Sequence, residues 1–130
     1  MPRILDHVDL RVRDLRACRD FYHGLLPLVG FTLRMEIPGW IQFEGAGSGV
    51  TEFFGVTEDP GHRPNKGRIA FWAESKDRLD RIARELPGLG AAEIEGPDWE
   101  SATYYAIYFS DPSGNPLEIC HRTRKLTDET

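Results

Sequence analysis

The chain has 130 residues, 40% of them hydrophobic and 11% aromatic, enough for one globular domain with a real core. No apolar run approaches the ~20 residues of a membrane span, and no basic segment with an apolar stretch follows Met1, so a cytoplasmic protein with no membrane partner is expected. The net charge is −5 and the lysines and arginines are scattered, which argues against nucleic acid as a partner.

Residues Ile4 to Val12 alternate, with Val8, Leu10 and Val12 on one face and His7, Asp9 and Arg11 on the other. This is the pattern of a strand with one apolar and one wet face. Asp14 is a good helix N-cap. Cys18, Phe21, Tyr22 and Leu25 then form the apolar stripe of a helix running to about Leu26, where Pro27 and Gly30 are expected to end it. Strands follow at Phe31 to Glu36, Trp40 to Glu44 and Val50 to Val56, with turns at Pro38-Gly39 and Gly45 to Gly49. Residues 57–66 are rich in Pro, Gly, Asp and His and read as a connector.

The order then repeats. A strand is predicted over Gly67 to Ala73 and a helix from Ser75 to Leu86, with Leu79, Ile82, Ala83 and Leu86 as its stripe and a stop at Pro87-Gly88. Three more strands are predicted near Ala92 to Gly96, Tyr104 to Phe109 and Pro116 to His121. Asp111-Pro112-Ser113-Gly114 reads as the turn between the last two. Arg122 to Thr130 is polar, lacks periodicity and reads as a flexible tail.

Matched in register, His7 and Arg68 open equivalent strands, and Asp14 and Ser75 cap equivalent helices. The expected fold class is α+β, with two tandem βαβββ modules (about 4–56 and 67–121) within one domain. Their sheets curl into a mixed-sheet cup with the helices outside. Four charged or ionisable residues are expected to point into it: His7, Glu52, Arg68 and Glu118. Asp9 shares the face of His7, either lining the wall or pairing with Arg11. Phe54, two past Glu52, and Trp72, four past Arg68, would add rings to a cup suited to a planar or amphipathic ligand. His23 reads as exposed, His121 as a satisfied surface histidine on the face opposite Glu118, and His62 as a solvated loop histidine with dipping over the cup as a ligand its alternative, while Cys18 and Cys120 read as reduced thiols. Trp40, Trp99 and Tyr105 are not located by the sequence.

On Leu5-Asp6-His7-Val8, Phe21-Tyr22, Gly30-Phe31, Gly67-Arg68-Ile69-Ala70-Phe71 and above all Tyr108 to Ile119, the chain resembles the vicinal oxygen chelate superfamily. That superfamily includes glyoxalase I, bleomycin-resistance proteins, fosfomycin-resistance enzymes and extradiol dioxygenases. The resemblance implies a divalent metal, such as Ni, Zn, Mn or Fe, held by four side chains, two from each module. His7, Glu52 and Glu118 fall on ligand positions, with Glu118 the best catalytic candidate. The fourth position holds Arg68.

A guanidinium has no lone pair to donate and stays charged. A dication ~4 Å away would be repelled by about 8 kcal/mol at an effective dielectric of ~20. Three readings follow, the blandest being a cup filled by its own side chains in a protein whose role is assembly. In the first, no metal is bound, Arg68 pairs with Glu118, Glu52 or both or meets an anionic ligand, and the cup sequesters a small organic molecule. In the second, His7, Glu52 and Glu118 hold a metal for glyoxalase-type or, with less support from the donor set, dioxygenase chemistry. The bleomycin-resistance branch also implies a homodimer.

Overall fold

The structure is a computed structural model and describes residues 3–125 and Thr127. Contacts cluster into two units, one up to Pro64 and one from Asn65. No helix among the described residues is long and apolar enough to cross a membrane.

The first unit contains β1 (His7–Val12), α1 (Leu15–Leu28), β2 (Phe31–Ile37), β3 (Trp40–Gly45) and β4 (Phe53–Glu58). Its four-stranded sheet has the order β1-β4-β3-β2, with β1 parallel to β4 and β3 antiparallel to both neighbours. Parallel pairing of β1 with β4 needs a crossover, which α1 and the β2–β3 meander supply. Asp14 caps α1 by accepting from the Ala17 amide at 3.3 Å, and the Glu58 carboxylate accepts from Leu15 N–H at 3.0 Å. The α1 stripe Cys18, Phe21, Tyr22, Leu25 and Leu26 is buried together with Ile41, Phe43, Phe54 and Val56 of the sheet.

The second unit repeats the plan with β5 (Ile69–Trp72), α2 (Lys76–Leu89), β6 (Ala92–Trp99), β7 (Tyr104–Ser110) and β8 (Pro116–Arg122). Its sheet has the order β5-β8-β7-β6, with β5 parallel to β8. Ser75 caps α2, accepting from the Arg78 amide at 3.0 Å. The turn before β8 is built on Asp111, which is 2% exposed. Its carboxylate accepts from the amides of Ser113 and Asn115 and from the Asn115 side chain, at 2.8 to 2.9 Å. Charge-assisted bonds to backbone N–H groups are the strong kind, so this segment's most recognisable sequence run has a structural cause.

Both helices outlast the prolines expected to stop them. Proline removes one bond to the carbonyl four residues back, but near a C-terminus the next residues still close the turn. Val29 N–H reaches the Leu25 and Leu26 carbonyls. In α2 the close comes at Gly90, whose φ of 95° is the left-handed cap that favours glycine. The tail expectation is corrected at its start, because Arg122 belongs to β8. Leu126 and Asp128 to Thr130 lie outside the described residues.

Candidate functional site

Each sheet has one face under its helix and one open face, and strand alternation decides which side chain goes where. In the first unit Val8, Leu10 and Val12 turn toward the helix side, leaving His7, Asp9 and Arg11 exposed. His7 stands opposite Phe53 in the parallel ladder, and their rings stack at 4.5 Å and 3°. The His7 Nδ1 lies 2.7 Å from the Asp6 carboxylate, the geometry of an N–H donated to that carboxylate, with Nε2 left over. Asp9 pairs with Arg11 at 3.0 Å and accepts from the Thr57 hydroxyl at 2.7 Å. Of the two roles open to Asp9, the structure shows the pairing.

Two first-unit expectations are corrected. Glu52 precedes β4, which begins at Phe53. Because Phe53 takes the face of His7, alternation turns Glu52 away from it. Consistently, the Glu52 carboxylate sits 3.1 Å from where a Cβ on Gly45 would be. Phe54, expected beside a ligand, is 1% exposed. It packs in the core near Tyr22 and Phe31, with ring centroids 6.1 and 6.0 Å away.

In the second unit the open face gathers residues from three strands. Arg68, immediately before β5, holds its guanidinium 4.7 Å from the centre of the Tyr108 ring and 3.9 Å from the Glu118 carboxylate. At 3.9 Å the Arg68–Glu118 contact is an ion pair without a hydrogen bond. Glu118 is 6% exposed and accepts a short hydrogen bond from the Tyr104 hydroxyl. Arg122 in turn lies 4.2 Å over the Tyr104 ring. Burying a carboxylate demands partners, and here a phenol and a guanidinium supply them.

The charged floor leaves its mark on its neighbours. Burial first, and then the Glu118 charge, push the Tyr108 phenol up to about 12. Burial and the bond to Glu118 drive the Tyr104 phenol higher still. Burial also raises the Cys120 thiol. Trp72 is 54% exposed at the end of β5, with its ring 5.1 Å from that of His121.

The remaining histidines and rings also find their places. His121 Nδ1 meets the Ala73 carbonyl at 2.8 Å. His23 is half-buried rather than exposed. Its Nε2 is buried without a hydrogen bond among the described residues, and its Nδ1 lies 3.0 Å from an Arg34 nitrogen. Tyr105 faces α2, donating to Asp80 at 2.5 Å, and Trp99 leans on Tyr105 at 4.9 Å.

Sequence spacing puts aromatics from Tyr104 to Phe109 near the cup but does not single out the two tyrosines of this site. Tyr104 and Tyr108 flank Ala106 on the face of β7 opposite Tyr105, Ile107 and Phe109, so strict alternation against Glu118 was the available signal. It also missed the equivalence between the units. With Arg68 aligned on His7, the partner slot holding Glu118 beside Ala70 corresponds to Gly55 beside Asp9. A Cβ on Gly55 would lie 3.1 Å from the Trp40 indole nitrogen, so an indole fills the space a carboxylate would need.

The donor chemistry can be tested directly. Among the described residues of either unit, no three His, Cys, Asp or Glu side chains gather in a way that could hold a metal ion. The first unit offers His7 Nε2 without a carboxylate at the Gly55 slot. The second offers Glu118, already bonded to Tyr104 and faced by Arg68. Neither unit by itself therefore supplies a three-ligand set.

Residues 4–119 match the family model described as Glyoxalase/Bleomycin resistance protein/Dioxygenase superfamily. Solved structures share the fold. A glyoxalase/bleomycin resistance protein from Albidiferax ferrireducens T118 is 24% identical with a TM-score of 0.73, over 92% of this chain and 99% of that one. The fosfomycin resistance protein FosX from Mesorhizobium loti is 21% identical with a TM-score of 0.68, over 98% of both chains. FosX from Listeria monocytogenes, in complex with Mn(II) and sulfate, is 21% identical with a TM-score of 0.69, over 95% of this chain and 93% of that one. No curated protein matches the chain.

Proposed function

The chain belongs to the glyoxalase/bleomycin resistance protein/dioxygenase superfamily, and on that premise we propose that it binds a small organic anion through Arg68 without a catalytic metal. The supporting observation is the state of the Arg68 guanidinium. It is held over Tyr108 and near buried Glu118, yet makes no close hydrogen bond to either. Its N–H donors are therefore oriented and still unspent, which is what recognition of a carboxylate or phenolate requires. Tyr108, whose ring lies against the guanidinium, supplies a flat surface to the organic part of the ligand, and Trp72 is exposed farther along the same face. Association into a homodimer belongs to this proposal, and light scattering across a concentration series decides it.

A metal-dependent enzyme is the second reading. It is favoured by the Asp6–His7 pair, whose geometry is that of a histidine oriented for a metal, and by the Mn(II) held by one relative of the same fold. The donor set at Gly55 and Arg68 opposes it.

The test combines metal analysis with ligand binding. Protein purified without chelators is expected to carry substoichiometric metal and to gain no thermal stability from nickel, zinc or manganese. Arg68→Gln is expected to weaken binding of aromatic carboxylates about tenfold or more, the ~1.4 kcal/mol scale of one charge-assisted contact. Stoichiometric metal, or carboxylate binding untouched by Arg68→Gln, overturns the proposal.

A further inference from the structure

We propose that the ligand is a small zwitterion, with its anionic group on Arg68 and its ammonium between Glu93 and Glu95. The inference rests on the reading of Arg68 as an anion anchor and extends it to the rest of the cleft. A cleft of about 440 Å³ opens beside Arg68, lined also by Tyr108 and Pro116 and, from β6, by Glu93 and Glu95. That volume suits a small molecule. Both glutamates are exposed, and among the described residues neither has an ion-pair partner.

The charge composition selects the ligand. A plain monoanion seated on Arg68 brings its charge into a cleft that already holds two uncompensated carboxylates. A plain cation drawn to the carboxylates leaves the guanidinium, paired with Glu118 but not hydrogen-bonded to it, with its N–H donors unspent. Only a molecule carrying both charges satisfies both walls without leaving one group opposed.

The strand order sets the arrangement. Arg68 reaches across to the Tyr108 ring on β7, and Glu95 pairs with Tyr108 from the adjacent strand β6. The guanidinium and the Glu95 carboxylate therefore approach one cleft from opposite sides of β7, so a small molecule within it can meet both. Glu93 is the one non-glycine residue with positive φ among the described residues, at 51°. It lies within an irregular stretch of β6, between Ala92 and Glu95, where the register shifts. Such bulges re-aim side chains, and here both carboxylates line the cleft.

Three probes with one ring separate the outcomes: phenylalanine with both charges, 3-phenylpropionate with the anion alone, and phenethylamine with the cation alone. Each is titrated at millimolar concentration into the full ¹⁵N-labelled chain, following the amide resonances around Arg68 and Tyr108. Phenylalanine is expected to bind about tenfold more tightly than either singly charged probe, and the Glu93→Gln/Glu95→Gln double variant to erase its advantage over 3-phenylpropionate. Both glutamates are exposed, so an unchanged melting curve certifies that the variant is folded. If 3-phenylpropionate equals or beats phenylalanine on the parent, the zwitterion is wrong while the Arg68 anion site stands. If phenethylamine binds best, or none of the three shifts these resonances, both proposals fall.

Discussion

The two units share one plan and differ in what they place on it. At matching stations the first sheet carries His7, Phe53 and Gly55, and the second carries Arg68, Pro116 and Glu118. One face holds a stacked imidazole and an indole over a glycine. The other holds a buried carboxylate ringed by two phenols and a guanidinium. The repeated plan thus keeps the backbone and the helix stripes, while the open faces carry unrelated chemistry. In repeated modules the hydrogen-bond register, not the residue count, identifies equivalent positions.

The sharpest way to break this comparison is to exchange rings between core and face. Phe54 of the first unit is 1% exposed and Trp72 of the second is 54% exposed, although both were expected to line a ligand. Phe54→Ala is expected to destabilise the chain by about 3–5 kcal/mol, as truncation of a buried aromatic does. Trp72→Ala should stay within about 0.5 kcal/mol. Urea denaturation measures both. Equal costs for the two would mean that the assignment of faces is wrong in one unit.

A milder effect sharpens the contrast between Gly55 and Glu118. Giving the first unit the carboxylate of the second, as Gly55→Glu, drives atoms into the space of the Trp40 indole. Overpacking of this sort costs about 1–3 kcal/mol. Adding Trp40→Ala should return part of that loss, so the double-mutant cycle shows a favourable coupling. Additive costs would instead mean that the indole does not guard the slot.

What the sequence disclosed followed the range of each signal. The helix stripes, the N-caps Asp14 and Ser75 and the Asp111 turn are written in adjacent residues, so they were legible. Glu52 was misplaced because nothing local marks where the loop after Gly45 ends. Ladder pairing starts at Phe53, and a shift of one residue moves every side chain to the opposite face. The same error carried Phe54 out of the core. The prolines misled for another reason: Pro27 and Pro87 each forfeit one hydrogen bond, but packing of the buried stripe outweighs it in the last turn. The cleft at Glu93 and Glu95 escaped notice because it depends on bulges in β6 and on long-range pairing with Tyr108.

The smallest expected effect is a difference in pH response, with opposite signs in the two units. In the first, burial and then the Arg19 and Arg34 charges lower the His23 pKa below its ordinary 6.5. The folded state therefore holds a neutral imidazole that unfolding would let protonate. This contribution is intact above pH 6.5 and is lost as pH falls through the depressed value. In the second unit the Tyr108 phenol is raised from 10 to about 12. Its contribution is whole below pH 10 and disappears as pH rises toward 12. Urea midpoints measured across the pH range should then decline at both ends. His23→Gln should flatten the acid limb and leave the alkaline limb, and Tyr108→Phe should do the reverse. A variant that flattened both limbs would show that the two groups share one titrating network, contrary to their separate surroundings.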